Sequence, residues 1–255
     1  MAINKRGIFF TTLAIALVTL FFLSYTFYTV LNDYSGVHDR VDTLDSFVKG
    51  VEADLPREVY IAGFRSLVVS QKRIAETGAY LPNYAQSLEE LFLNGTLQGI
   101  PESLMTGATL PELATTLQER AGKINANATL SNYTFRVYQE TPWEVIFEVQ
   151  AQLLVRDHGG LAQWNKTETI RAMVPVEGFE DPLYTLNTQS QIINKIKRTP
   201  HAFFVSGTNV TNLNDHAVKS YYYANPLAPS YLDRLTGSTT ASAHGIESLV
   251  NLQKV

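Results

Sequence analysis

The sequence predicts an α+β fold: an N-terminal transmembrane helix that continues into a helical stalk, followed by a mainly antiparallel β outer domain. Three observations predict it. A charge-free apolar run lies near the N-terminus, an apolar repeat at helical spacing follows it, and period-two alternation takes over beyond Asn125. The expected divisions are a basic leader at 1–7, a membrane helix at 8–31, a helical stalk with membrane-proximal helices at 32–125, and a β-rich extracellular domain at 126–255.

Gly7 to Leu31 reads GIFFTTLAIALVTLFFLSYTFYTVL, 25 residues without a charge. That is long enough for a helix to cross a hydrocarbon core of about 30 Å. Its Thr and Ser hydroxyls can bond back to the preceding turn, and Tyr25 and Tyr28 stand near the far end, where amphipathic rings favour the interface. Lys5 and Arg6 precede the run, whereas Asp33, Asp39, Asp42 and Asp45 follow it with Arg40 as the nearby cation. The positive-inside rule then leaves the N-terminus in the cytoplasm and the remainder outside, as a single-pass protein of the cell membrane. A cleaved signal peptide is the alternative; the run exceeds the usual h-region, and no A-x-A-like site follows it.

Asn4-Lys5-Arg6-Gly7, followed directly by Ile8-Phe9-Phe10-Thr11-Thr12-Leu13, resembles a type IV prepilin leader: a short basic stretch ending in Gly before an uninterrupted apolar helix. The resemblance implies cleavage after Gly7, freeing Ile8 as the mature N-terminus, and helix-mediated association with like neighbours. Bacterial pilins usually carry Glu five residues after the cut, where this chain has Thr12; archaeal and minor pilin-like proteins are looser there. An ordinary signal anchor that begins with KRG is the competing reading.

Beyond the span, Val37, Val41, Leu44, Val48, Val51 and Leu55 recur at spacings of four and three, one apolar seam on a helix. The seam is too short for an autonomous coiled coil, so it packs either on the chain's own outer domain or on a neighbouring copy. Asp39, Asp42 and Asp45 form a stripe that could attract a cation, although a solvated helix face is the simpler reading. Asp54-Leu55-Pro56 predicts a break, with Asp54 capping a second helix from about Arg57 to Glu76. Glu89–Leu93 and Pro111–Ile124 are also expected to be helical.

After Asn125 three segments rich in Val, Ile, Phe, Tyr and Thr follow: 133–140, 143–156 and 161–176. Pro142 and Asp157-His158-Gly159-Gly160 separate them, predicting three antiparallel strands joined by hairpins. A long helix first and an antiparallel sheet later is also the layout of a pilin. From Gly178 onward periodicity is weaker. The segments Glu177–Tyr184, Tyr221–Tyr223, Ala228–Leu235 and Gly245–Asn251, with Pro142-Trp143, resemble segments of membrane-anchored surface proteins of archaea, which implies surface location and no assigned activity.

Five Asn-x-Thr sequons, at Asn94, Asn127, Asn132, Asn165 and Asn209, all lie beyond the span, as acceptors on an extracellular face would. The chain has no cysteine, so its ectodomain relies on packing. A net charge of −4 speaks against nucleic acid as a partner. Catalytic and metal signatures are not found: His38, His158, His201, His216 and His244 are scattered, and no HExxH, GxSxG, P-loop or GxGxxG occurs. Glu89-Glu90 and Glu180-Asp181 are adjacent carboxylates, Asn212–Asp215 could donate oxygens to a cation, and Tyr221–Tyr223 with Trp143 and Trp164 could form a sugar-binding surface. Each also fits a surface, loop or core role.

The expected function is therefore non-enzymatic, a pilin-like subunit or anchored envelope component without cofactor or metal. Its expected partners are membrane lipid and neighbours through the N-terminal helix. The alternative is a membrane-anchored domain that binds a ligand or carbohydrate, to be recognised by a concave pocket with convergent polar groups after Asn125.

Overall fold

The computed structural model describes residues 5–189 and 191–249, and the side chains of these except 5–8 and 30–35. Residues 1–4 of the expected leader and the end of the Gly245–Asn251 segment lie outside the described residues.

One helix, α1 (Lys5–Thr77), runs for 73 residues. The expected break at Pro56 does not occur, because Pro56 lies inside the helix. A proline there removes one i→i−4 hydrogen bond, to the Glu52 carbonyl. The loss is tolerated because Pro56 faces solvent, while Leu55 and Val59 on either side are 1% exposed and clamp the helix to the core. Gly78 closes the helix with φ +65°, and its N–H donates to the Ile74 carbonyl at 3.0 Å.

Helix α2 (Tyr84–Asn94) starts where the Asn83 side chain accepts from the N–H groups of Ala85 and Gln86, and it ends at Gly95. Strands β1 (Thr96–Leu97) and β2 (Ile100–Pro101) form a small hairpin. Helix α3 (Leu110–Lys123) opens on a capping box between Thr109 and Glu112, with Pro111 in its first turn. Helix α2 encloses the expected Glu89–Leu93 segment, and α3 covers the expected Pro111–Ile124 segment except Ile124, which caps it.

The three-stranded sheet is an antiparallel meander in the order β3 (Ala126–Thr141), β4 (Glu144–Asp157) and β5 (Gln163–Pro175). Strand β3 begins seven residues before the expected segment. A bulge between Ser131 and Thr134, with Asn132 at φ +54°, carries the alternation through. Val145, Phe147, Val149, Ala151, Leu153 and Val155 of β4 point to one buried face. Helix α1 lies on that face: a Cβ on Gly63 would stand 2.6 Å from the Phe147 ring, so only glycine admits this approach. Phe92 of α2 packs on Phe147 and Phe135 with ring centroids 5.4 and 4.8 Å away, closing the core from the other side.

Beyond the sheet the chain is not β-rich. Among the described residues it forms α4 (Pro182–Asn187), α5 (Thr211–Lys219) and α6 (Tyr231–Leu235), and only the three-residue strands β6 (Tyr222–Ala224) and β7 (Ile246–Ser248), which pair with each other.

Candidate functional site

The N-terminal part of α1 stands clear of the core. Phe9–Thr29 is long and apolar enough to cross a membrane, and none of its side chains is buried within the protein. Three of its hydroxyls are silenced within the helix: Thr19 donates to the Ile15 carbonyl at 2.8 Å, Thr26 to Phe22 at 2.8 Å and Thr29 to Thr26 at 2.9 Å. Such bonds remove the cost of placing hydroxyls in an apolar medium. Gly7 and Ile8, the residues of the leader-like junction, lie in the first turns of the same helix.

The seam changes character along its length. Val37 is 39% exposed and Val41 half-buried, whereas Leu44, Val48, Val51 and Leu55 are buried against the chain's own sheet and helices. Two polar contacts tie this stretch to the sheet and its turn, besides the Asp54–Arg120 pair with α3 at 3.1 Å. Lys166 of β5 reaches Glu52 at 2.5 Å. Where α1 enters the folded region, Arg40 Nε and Nη2 donate to Asp157 Oδ1 at 2.9 and 2.7 Å, and Nη2 also donates to the Asn125 carbonyl at 2.8 Å. The Arg40 hydrogen bonds hold the Asp157 carboxyl below its ordinary value, helped by the N–H groups of Leu161 and Gly159. The two residues are 117 positions apart, so no local motif announces their pairing.

All five sequon asparagines are exposed. Asn94 is the last residue of α2 and Asn209 lies in the turn before α5. Asn127, Asn132 and Asn165 lie on β3 and β5, and their neighbours are given by the register. Across the sheet, Thr129 aligns with Leu154 and Asn165, Ser131 with Gln152 and Thr167, and Thr134 with Gln150 and Thr169. These rows face away from α1. The next row is ionic: Arg136 and Arg171 flank Glu148 at 3.6 and 2.9 Å, and both guanidinium groups lie over the Tyr138 ring.

The remaining sequence candidates have structural partners. Glu90 accepts from Thr96 Oγ1 and from the N–H groups of Gln98 and Gly99, bracing the β1–β2 hairpin. Burial pushes its carboxyl up, and those hydrogen bonds outweigh it, leaving the value lowered. Asp215 sits on α5, paired with His201 at 2.9 Å and Lys219 at 2.8 Å, so Asn212–Asp215 is a helix and not a cation loop. Asp42 and Asp45 pair along α1 with His38 and Lys49. Tyr221 and Tyr222 are buried, and Trp143 and Trp164 pack on the core, so they do not form one open aromatic surface. Among the described residues no group of three or more His, Cys, Asp or Glu is placed to hold a metal ion.

The segment after the sheet is ordered by a buried polar cluster that the sequence did not announce. Arg234 is 2% exposed and donates to Asp181, to the Ile246 carbonyl and to the Pro229 carbonyl. Asp181 also accepts from the Tyr222 hydroxyl at 2.8 Å and the Leu183 N–H at 3.1 Å. Burial pushes the Asp181 carboxyl up, against the pull of Arg234 and these donors. Gln71 of α1 donates to the Glu180 carbonyl and the Tyr231 hydroxyl, tying the cluster to the end of the long helix. Beside it a cleft of about 470 Å³ is lined by Tyr184, Ile192, Leu227, Pro229, Arg234 and Glu247 among others. Burial raises the Tyr184 hydroxyl to about 12.

No protein-family model, no curated protein and no solved structure matches this chain.

Proposed function

We propose that the chain is a single-span surface protein, anchored by residues 9–29 with the folded part outside the cell, and that it serves as a pilin-like subunit or anchored envelope component. The observation that carries this reading is the continuity of α1. One helix runs from the Gly7-Ile8 junction, through the apolar stretch, into the core of the folded part. A cleaved signal peptide fits this poorly, because the helix continues without a break past Leu31 to the Arg40–Asp157 contact. Lys5 and Arg6 before the span and the acidic residues after it support the outward orientation. The exposed part of the seam around Val37 and the apolar helix itself are the surfaces through which neighbours would associate. N-terminal sequencing of the membrane-extracted protein tests the pilin-like part: Ile8 as first residue supports it, and Met1 or Ala2 as first residue overturns it while leaving a plain anchor.

The cleft beside Arg234 favours a second reading, an anchored domain that binds a small ligand such as a carbohydrate, because apolar and polar side chains converge there. A thermal shift on adding a saccharide, abolished in Thr239→Trp at the cleft wall, supports that reading; no shift across mono- and oligosaccharides argues against it.

A further inference from the structure

We infer that the face of the β3–β4–β5 sheet turned away from α1 is a glycosylated face, carrying N-linked glycans on Asn127, Asn132 and Asn165, and that the glycan on Asn165 keeps the β5 edge from pairing with another chain. The inference rests on the outward topology proposed above.

Strand periodicity does the first part of the work. In Asn127-Ala128-Thr129 and Asn165-Lys166-Thr167, acceptor and Thr are two residues apart in a strand, so both side chains point to the same open face. The third acceptor, Asn132, reaches that face from the bulge, in a left-handed conformation that asparagine tolerates better than most residues. Around Asn132 and Asn165 the face is mostly amide and hydroxyl, with Ser131, Gln150, Gln152 and Thr167 in the aligned positions, whereas Leu154 lies between Thr129 and Asn165 and Arg156 aligns with Asn127. All three acceptors are on the two outer strands, and the central strand has none.

The hydrogen bonds at two of the acceptors are compatible with the modification. Asn132 Nδ2 donates to Gln152 Oε1 at 2.8 Å, and Gln152 Nε2 donates to Asn165 Oδ1 at 2.9 Å. Glycan transfer from a lipid-phosphate-linked oligosaccharide breaks the bond between sugar C1 and the phosphate oxygen and forms Nδ2–C1. The lipid phosphate leaves, and the amide gives up one Nδ2 proton. Asn132 keeps its second N–H for Gln152. Asn165 uses only its oxygen in the bridge, leaving Nδ2 to the sugar. The row that orients both side chains therefore survives a glycan on each.

The two edges differ. On β3 the Ala128 N–H donates to Gln118 Oε1 of α3 at 3.1 Å, and α3 packs along the strand. Helix α1 likewise packs against β5, and among the described residues no strand pairs with the far edge of β5. Thirteen residues of edge strand are a template for adding another chain, and folded proteins block such edges. Asn165 lies near one end of this edge, where a bulky glycan hinders a second strand from docking.

Intact glycopeptide mass spectrometry on the full-length protein from its own membranes tests the assignment, with glycopeptides expected at Asn127, Asn132 and Asn165. Bare sheet acceptors with glycan at Asn94 or Asn209 overturn the glycosylated face and leave the outward topology standing. If all five are bare, the face is overturned, and protease treatment of intact cells shows whether the topology falls too. Edge protection is read from Thr167→Val in the detergent-solubilised full chain, with Thr167→Ser as the control that keeps the sequon. Thr167 is exposed, and valine matches its shape. Loss of the Asn165 glycan with at least a doubling of mass by light scattering, absent in the Ser variant, supports edge protection; an unchanged mass overturns it.

Discussion

Arg40 and Asp157 join the long helix to the far end of the second sheet hairpin, through two hydrogen bonds to one carboxylate oxygen at 2.7 and 2.9 Å. The side chain of Asp157 is almost completely covered, and its other oxygen accepts from the Leu161 N–H at 3.2 Å, so the same carboxylate shapes the β4–β5 turn. Asp157→Asn is expected to lower Tm and to expose the 36–45 stretch to protease. Because the native carboxyl titrates below its unfolded value of about 3.9, its contribution is complete above that value and is lost as pH falls through the lowered native one. Thermal melts between pH 7 and pH 2 are expected to show a flatter acid limb in Asp157→Asn than in the parent chain.

Gly63 sets the distance between α1 and the sheet. Gly63→Ala places a methyl group 2.6 Å from the Phe147 ring, and overpacking of this kind costs roughly 1–3 kcal/mol. Urea melts of Gly63→Ala, Phe147→Leu and the double variant are expected to show partial rescue in the double.

The seam is expected to show a gradient. Leu44→Ala and Leu55→Ala, at 0% and 1% exposure, should each destabilise by about 2–5 kcal/mol. Val37→Ala should stay within roughly 0.5 kcal/mol in the monomer, as surface changes do. A large monomer effect at Val37 would show that the seam packs on the chain's own fold further toward the span than the structure has it.

Pro56 withholds a hydrogen bond from an otherwise regular helix. Pro56→Ala restores a donor to the Glu52 carbonyl and is expected to stabilise by roughly 1–3 kcal/mol, less the entropy that proline removes from the unfolded chain. Equal or lower stability in chemical denaturation would mean that the helix is shaped to the proline.

Asp181 and Arg234 depend on each other. Removing one partner of a buried pair costs about 3–5 kcal/mol, so Arg234→Met alone should loosen the segment after residue 180, read by hydrogen exchange at β6 and β7. The joint change Asp181→Leu with Arg234→Met should lose less than either alone.

Periodicity made the first two thirds of the chain legible. The apolar run, the four-three seam and the Val145–Phe147–Val149 alternation are local patterns, and each appears where expected. Pro56 misled, because a local rule for helix ends was outweighed by burial of Leu55 and Val59 against a sheet still some 80 residues away in the sequence. The segment from Gly178 carried little signal because its order comes from Asp181, Tyr222 and Arg234, partners 41 and 53 residues apart, and polar partners at such distances leave no periodic trace. The sequons were visible one by one. Their shared face was not, since it depends on the bulge at Asn132 and on strand register.

The unbroken helix also acts as a lever. At 1.5 Å per residue, the part of α1 from Leu31 to Thr77 reaches roughly 70 Å from the proposed membrane surface. A tilt of about 20°, common for spanning helices, would swing the far end sideways by roughly 24 Å. With no hinge at Pro56 to absorb the motion, bilayer thickness and the angle of the span would steer where the outermost part of the protein points.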